Sequence, residues 1–582
     1  MKFSELTNYF EKLEETASRL SLIEILSELF KKTPENEIDK IVYLTQGRLA
    51  PFFVPLEIGM AEKTVAVSIA NAYGLTREDV IKSYNNLGDM GLAAFELSQK
   101  RNQTMRKRLE ENLTVDEVFI TLNAIANMKG QGTVEKRQKL LSELLEKMDP
   151  VSAKHFVRIP LGNTRLGIGD PTVLDALATA KLGDRSKRKL LEEAYNRTSD
   201  LGLIAKTLWR YGLVEVEKLP VMVGHPIRSE LCERLPNPEK IIEKMEEVDV
   251  QYKYDGFRVQ IHKNKDDIRM FSRNLEEMTH MFPELTKAAR KQIKADSVIL
   301  DSEALAYNPE SEEFLPFQET TKRRRKHGIE EMAGKLPLKA FVFDILYKNG
   351  KQLLDEPLKK RMEILKETLP EDDILIRTKN QTIKDPKTLG VLLDDAISKG
   401  LEGLVVKRLE SPYVAGGRNF NWVKLKRHSS GELNDTIDCV ILGYITGKGK
   451  RAAFGAGALL VGIYDDKNDE FVTVSKIGTG LTDEEWREVH KRADKIKLSH
   501  KPPRINSLII PSEWIRPEIV IEVLADEITR SPIHTAGKEG NEPGYALRFP
   551  RLVSFRNADK KAEDSTTVKE LIEMYQQQGK KD

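Results

Sequence analysis

Gln251-Tyr252-Lys253-Tyr254-Asp255-Gly256-Phe257-Arg258 is the stretch from which the rest of the chain is read. A lysine stands between two tyrosines, Asp-Gly follows one residue later, and an arginine closes the run. Aromatic crowding disfavours a charged ammonium, so the Lys253 pKa is expected to fall, and a neutral lysine is a nucleophile able to form covalent intermediates. Asp255-Gly256 predicts a tight turn beside the amine, and Arg258 is a candidate phosphate ligand. The letters K-x-D-G alone fit a solvated lysine on a hairpin strand equally well. The surrounding pattern decides between these readings.

Downstream, strands are predicted over 257–262 and 268–272, joined by the polar turn 263–267. Further strands are expected over 297–307, 338–347 and 403–408, with helices over 275–294 and 361–368, which makes an α+β domain. Upstream, residues 1–217 read as all-helical. Phe3, Leu6, Tyr9, Phe10 and Leu13 recur at three-to-four spacing, as do Leu140, Leu141, Leu144, Leu145 and Met148. The loop 158–169 places Arg158 and Arg165 among glycines ahead of a helix expected over 172–182, an arrangement suited to phosphate. Beyond residue 429 the pattern changes to short strands (439–444, 458–464, 471–476, 519–523) with a helix over 482–496, as in small antiparallel barrels of the OB type. A last helix is expected over 565–578, either exposed or docked. The domain bounds are therefore 1–217, 218–428 and 429–582.

A chain of 582 residues exceeds a single core and implies roughly three to four domains. With 93 basic and 91 acidic residues, the net charge of +2 leaves room for a local basic face but names no partner. The two cysteines, Cys232 and Cys439, make neither a disulfide framework nor a cysteine zinc site, which points to a reducing interior. No apolar run approaches the length of a membrane span, and the first residues lack a signal-peptide core, so the expected location is the cytoplasm without membrane association.

Other clusters share the middle domain with the lysine. Asp301-Ser302-Glu303 puts two carboxylates on one strand face. Glu402-Gly403-Leu404-Val405-Val406-Lys407 and Trp422-Val423-Lys424-Leu425-Lys426 add a carboxylate and alternating lysines. Carboxylates for Mg²⁺ and cations for phosphate around one lysine suit phosphoryl chemistry.

In these motifs the chain resembles, nearly end to end, the ATP-dependent DNA ligases of the archaeal and eukaryotic replicative type. The resemblance implies a multidomain protein: an all-α DNA-binding domain, an α+β nucleotidyltransferase (adenylation) domain and a β-barrel OB-fold domain. Lys253 matches the family's adenylated lysine. Arg258, Arg273, Glu303, Phe343, Arg418, Lys424 and Lys426 match or flank its nucleotide-contacting positions, and Glu303 and Glu402 its metal-linked carboxylates. Arg548, Arg551 and the following Arg556 and Lys560 resemble the barrel motif that orients the leaving group. The basic run 322–326 after Leu315-Pro316-Phe317-Gln318-Glu319 is also in the family's manner. Where the family often has a Glu that reads adenine, this chain has Gln251. Its oxygen can accept from an amino group and its NH₂ can donate to a purine carbonyl, so base selection stays open.

The implied reaction uses ATP and Mg²⁺. Lys253 takes AMP, AMP passes to the 5′-phosphate of a nick, and the 3′-hydroxyl displaces it. Nicked duplex DNA is the implied partner of a monomer. A sliding clamp is left open, because 99–109 offers glutamines without paired aromatics. The alternatives are an RNA ligase or capping-type nucleotidyltransferase, which does not need so large a helical front, and a non-catalytic nick-binding scaffold, which would have no need of Lys253, Glu303 or Lys424.

Overall fold

The computed structural model describes residues 1–16, 18–100, 113–306, 320–325, 327–398, 401–426, 435–446, 456–478, 481–525, 527–540, 542–548, 550–557 and 559–578. It forms two compact units, Met1–Tyr195 with Ser199–Leu219, and Asn196–Thr198 with Pro220–Asp582.

In the first unit every named element is a helix. Phe3, Leu6, Phe10 and Leu13 of helix Phe3–Glu15 are buried, because three-to-four spacing puts them on one face. Leu141, Leu144 and Leu145 do the same on Thr133–Lys147, while Leu140 sits half-buried at the margin of that face. The loop 158–169 departs from expectation. Arg158 is buried and donates to Asp89 (2.9 Å) and Glu14 (2.8 Å), and Arg165, at φ +58°, pairs with Asp89 at 3.0 Å. A buried carboxylate draws both guanidiniums inward, because leaving it unpaired would cost more than any exposed contact returns. The helix beyond the loop is Asp170–Leu177, extended by a π-turn at Ala178–Leu182.

In the second unit, five strands form one sheet: Leu231–Arg234 (β1), Val248–Lys253 (β2), Gln381–Ile383 (β9), Gly403–Arg408 (β10) and Arg418–Leu425 (β11), ordered β1-β11-β10-β2-β9. A second sheet orders Asp267–Ser272 (β4), Phe257–Asn264 (β3), Ser297–Ala306 (β5), Leu338–Lys348 (β6) and Lys351–Gln352 (β7), with Leu375–Arg377 (β8) on β6. Strands β3 and β4 are the expected hairpin, with Asn264 opposite Asp267 and Lys265 at φ +54° in the turn. The helix expected over 275–294 begins only at Pro283, because Leu275 is left-handed (φ +65°) and proline is favoured at a first helical position, where its missing N–H is no loss.

Period-two alternation places the site. On β2, Val248 and Val250 join one core while Asp249, Gln251 and Lys253 face the other way. On β5, Val298, Leu300 and Ala304 pack outward while Ile299, Asp301 and Glu303 face inward. Ile299, Tyr413 and Trp422 form a small apolar cluster between the sheets, and Phe343 packs on it. The inner faces of the two sheets thus carry the polar residues of both strands.

The C-terminal part holds a seven-stranded sheet built on Ile437–Thr446 (β12), Ala456–Asp465 (β13), Glu470–Ile477 (β14), Glu513–Leu524 (β17) and three short strands, plus the hairpin Glu527–Ser531 (β18) and Gly544–Arg548 (β19). One of the short strands is Arg551–Phe555 (β20), paired with β17. Helix Asp483–Asp494 starts at Thr482 with a capping box. Helix Val568–Gln578 is docked, with Leu571 and Met574 in the core.

One ion pair anchors the middle of this unit. Arg361 donates to Asp344 from Nε (2.7 Å) and Nη2 (3.0 Å), and both side chains are 0% exposed. Arg361→Leu would strand a buried carboxylate and is expected to destabilise the protein by about 3–5 kcal/mol, read from urea unfolding. A loss below about 1 kcal/mol, the surface-pair range, would contradict this account.

Candidate active site

Lys253 ends β2, and the adjacent strand delivers its partner. Gly403 of β10 pairs with Lys253, and the Glu402 amide donates to the Lys253 carbonyl (3.2 Å). Gly403 sits at φ +142°, and a Cβ there would lie 2.3 Å from the Leu425 carbonyl, so only glycine lets β10 approach β11. The Lys253 ammonium forms an ion pair with the Glu402 carboxylate. Lys426 lies 3.6 Å from Glu402 and 3.1 Å from Asp435. Burial alone would depress the Lys253 pKa, as its tyrosine neighbours suggest. The opposing charge of Glu402, reinforced by Glu303 and Asp255, outweighs it and raises the pKa above the ordinary value. Lys253 is therefore held as a cation, contrary to the expectation of a neutral amine. Burial opposes ionisation of Glu402, but Lys253 and Lys426 hold its carboxyl below the usual range.

Gly256 departs from expectation in its reason. It is absent from the left-handed glycines, and a Cβ there would lie 2.3 Å from the Ala304 carbonyl. Close approach to β5 demands it, rather than a turn. Its amide donates to Glu303 Oε1 at 3.2 Å. Burial pushes the Glu303 carboxyl up to about 8 despite Lys253 and Arg258 nearby. Tyr254 stacks on Phe341 at 4.0 Å.

Arg258 is committed within the protein. Its fork meets Asp301 (3.1 and 2.7 Å), and Nη1 donates to the Glu230 carbonyl (2.7 Å). Asp301 is fully buried and also accepts from Tyr413 (2.8 Å), so of the two strand carboxylates only Glu303 is left for a ligand. Phe343 lies edge-on to Trp422 (5.9 Å), with Arg258 and Lys407 against its ring at 5.2 and 4.8 Å. Gln251 is buried and donates to Asp249 at 2.8 Å.

The remaining predicted cations are spread over the unit. Arg418 pairs with Glu570 of the C-terminal helix, and Lys424 lies 3.6 Å from the same carboxylate. Burial, aided by Arg234, pushes Lys424 down to about 7. Arg273 lies 3.6 Å from Asp564. Arg548 pairs with Glu527 on the exposed hairpin (2.9 Å), and Arg551 is exposed on β20. Arg556, held by Asp559 (2.6 Å), is the barrel-motif residue whose charge acts on Asp255 and Glu402. Lys560 is paired with Asp438. The stretch 315–319, Lys326 and Phe549 lie outside the described residues.

Comparison with known proteins gives this lysine–carboxylate centre its context. Residues 229–426 match the ATP dependent DNA ligase domain, 2–178 the DNA ligase N terminus, and 452–560 the ATP dependent DNA ligase C terminal region. The chain is 48% identical over 580 residues to a probable DNA ligase of Dictyoglomus turgidum, covering 100% of this chain and 98% of that one. It is 41% identical over 583 residues to a DNA ligase of Nitrosopumilus maritimus (100% and 99% covered) and 39% identical over 594 residues to one of Sulfolobus acidocaldarius (100% and 99%). The chain belongs to the ATP-dependent DNA ligases.

This ligase seals nicks in duplex DNA with ATP, through the lysine–AMP chemistry typical of its family. Its architecture is the family's three-domain one, a helical front followed by curled-sheet domains. Among the described residues no helix is long and apolar enough to cross a membrane. Several residues at the site escaped the sequence reading. Asp249 was accessible to it, since it shares a strand face with Gln251 and Lys253. Glu230 and Glu570 carry no local signal, and Lys407, read with its strand as one of the alternating lysines, is a buried support that donates to the Phe343 carbonyl at 3.2 Å.

Glu230 yields a test. It is fully buried, its Oε2 accepts from the Val414 amide (2.9 Å), and burial raises its carboxyl to about 8. Between the ordinary value near 4.5 and about 8 the folded ligase keeps on Glu230 a proton that the unfolded chain has lost, so the Glu230 contribution to stability falls as pH rises through that window and levels off above it. Glu230→Gln is expected to flatten the decline in urea midpoint between about pH 5 and about pH 8. An unchanged slope would show that Glu230 does not titrate there.

Proposed function

We propose that Lys253 is the residue that carries AMP in this ligase. The observation that carries the reading is the placement of its ammonium between Glu402 and Glu303, on the inner sheet faces that also bear Gln251, Phe343 and Lys424. Lys253 attacks the α-phosphorus of ATP, its N–P bond forms as the bond to pyrophosphate breaks, and the amine proton is lost. The ion pair with Glu402 keeps the resting lysine protonated, which suppresses reaction until ligand arrives.

Gln251 and Phe343 are read as the contacts to the base, and Arg273, Arg418, Lys424 and Lys426 as the cations for ribose and phosphate. Arg258, already paired with Asp301, serves by holding the floor of the site. Glu303 and Glu402 supply hard oxygen donors suited to Mg²⁺, and a Glu303 carboxyl that releases its proton near 8 can yield it to a cation. When bound, Mg²⁺ would compensate charge at the phosphate and weaken the hold of Glu402 on Lys253. Nucleotide binding must also compete with Glu570 for Arg418 and Lys424.

Residues 1–217 are assigned to gripping duplex DNA, 218–428 to adenylation, and 429–582 to an OB-type barrel. In the helical unit, a cleft of about 380 Å³ is lined by Arg185, Ser186, Arg188 and Lys189 and also by Asp175 and Glu192, which pair with Arg185 (3.1 Å) and Arg188 (2.8 Å), so a backbone phosphate seated there would compete with those carboxylates. A monomer acting in the cytoplasm completes the reading. The replicative role would add a sliding clamp; of the stretch 99–109 considered for it, 101–109 lies outside the described residues.

Lys253→Arg keeps charge but cannot supply a neutral amine, so labelling by α-labelled ATP should vanish. Labelled AMP on that variant would remove Lys253 from the role. Deleting 1–217 should weaken nick binding in a salt-dependent way and spare self-adenylation. Equal loss of both activities would make the helical unit part of the catalytic core.

The barrel arginines separate the steps. Pyrophosphate is absent from the final sealing step, so Arg548→Ala, Arg551→Ala and Arg556→Ala should each slow adenylation about tenfold or more while slowing sealing of a pre-adenylated nick far less. Single-turnover assays on ATP and on pre-adenylated DNA measure both. Normal adenylation with impaired sealing would make these arginines DNA ligands instead.

A further inference from the structure

Gln251 is the position at which this ligase departs from the acidic residue its family often carries, and a symmetric amide cannot choose a base unless something fixes which end faces the site. The structure supplies that fixing. Asp249 and Gln251 are both 3% exposed and lie on the same face of β2, with Lys253 next along it. Asp249 Oδ2 accepts from Gln251 Nε2 at 2.8 Å and from Asn380 Nδ2 at 3.3 Å. The Asn380 amide is itself turned by Thr378, whose hydroxyl donates to Asn380 Oδ1 at 3.5 Å, and the Thr378 amide is anchored on the Val342 carbonyl of β6 at 2.9 Å. Burial raises the Asp249 carboxyl above the ordinary range, and Lys407, opposite it in the β2–β10 register, opposes that rise together with the two amide donors.

Asp249 Oδ2 already accepts from two amide N–H groups, so it is the acceptor end of the carboxyl and has no hydrogen to offer. Reversing the Gln251 amide would set its oxygen against Asp249 Oδ2, with both groups buried, and leave the Asp249 oxygen without its donor. The NH₂ end is therefore held inward and Oε1 is presented from the face that carries Lys253. Among the described residues nothing donates to that oxygen. Adenine offers an amino donor at its six-position, whereas guanine offers a carbonyl acceptor there.

We infer that Asp249 is a positioning residue that fixes the Gln251 amide with its oxygen forward, so that the pocket accepts 6-amino purine nucleotides and rejects 6-oxo ones. The inference rests on the reading of Gln251 as a base contact. Asp249 itself touches no substrate. It does for a glutamine what a glutamate would do unaided, since a carboxylate has no wrong end.

The test is self-adenylation of the full chain with α-labelled ATP and α-labelled GTP, scored as the ratio of kcat/KM values. Asp249→Asn can either accept from or donate to Gln251, so both amide orientations become available, and the ATP-to-GTP ratio should fall about tenfold, the equivalent of one hydrogen bond. Asp249→Asn combined with Gln251→Glu should restore the ratio, because a carboxylate cannot be flipped. A purely structural role for Asp249 would not yield that rescue. A cooperative thermal transition checks that each variant is folded. Should Asp249→Asn fail to fold, Asp249→Ser, whose hydroxyl both donates and accepts, carries the same expectation. An unchanged ratio in the Asp249 variant alongside a fall in Gln251→Leu would overturn the positioning role and leave Gln251 as the base contact. An unchanged ratio in Gln251→Leu would remove the base contact itself, and the inference with it.

Discussion

The ion pair between Lys253 and Glu402 is the constraint to which the rest of the candidate site answers. Taking an ammonium out of water opposes its charge, and a carboxylate placed against it reverses that sign. The fold brings the two together by pairing Gly403 with Lys253 across adjacent strands, and Gly403 is possible only because no Cβ intrudes on Leu425. Glu303, raised by burial and bonded to the Gly256 amide, closes the other side. The lysine proposed as nucleophile is thus held protonated at rest, by carboxylates whose oxygens are of the kind that divalent cations take.

Around this centre the inner sheet faces are crowded with charge that is already paired. Arg258 with Asp301, Arg361 with Asp344, and Lys407 under Phe343 are internal supports, each of which satisfies a buried polar group. Such pairs give little net stability but penalise every arrangement in which a partner is missing, which favours one geometry for the strands that carry Gln251, Lys253 and Glu303. Lys424 and Arg418, proposed as phosphate ligands, are both held by Glu570 of the helix Val568–Gln578.

Part of this was legible in linear order. The K-x-D-G run is ambiguous alone, but the strand bearing Glu303 and the alternating lysines of Trp422–Lys426 add to it in order, since a strand exposes every second residue to one side. Helical spacing at the front of the chain was likewise legible, because burial of one face forces the period, and every named element of the first unit is a helix. Boundaries failed where local geometry overrode periodicity. The helix expected from residue 275 waits for Pro283, because Leu275 takes a left-handed turn.

Pairing could not be read in this way. Lys253 and Glu402 are separated by 149 positions and Arg418 and Glu570 by 152, and Coulomb interaction depends on distance in space, not along the chain. Its tyrosine neighbours suggested a neutral lysine, while its resting protonation was decided by a strand arriving from elsewhere. Arg158 and Arg165 looked like phosphate ligands until Asp89 was seen to hold both. Gln251, ambiguous as a letter because its amide has two ends, acquires a direction only where the folded strand sets Asp249 against one of them.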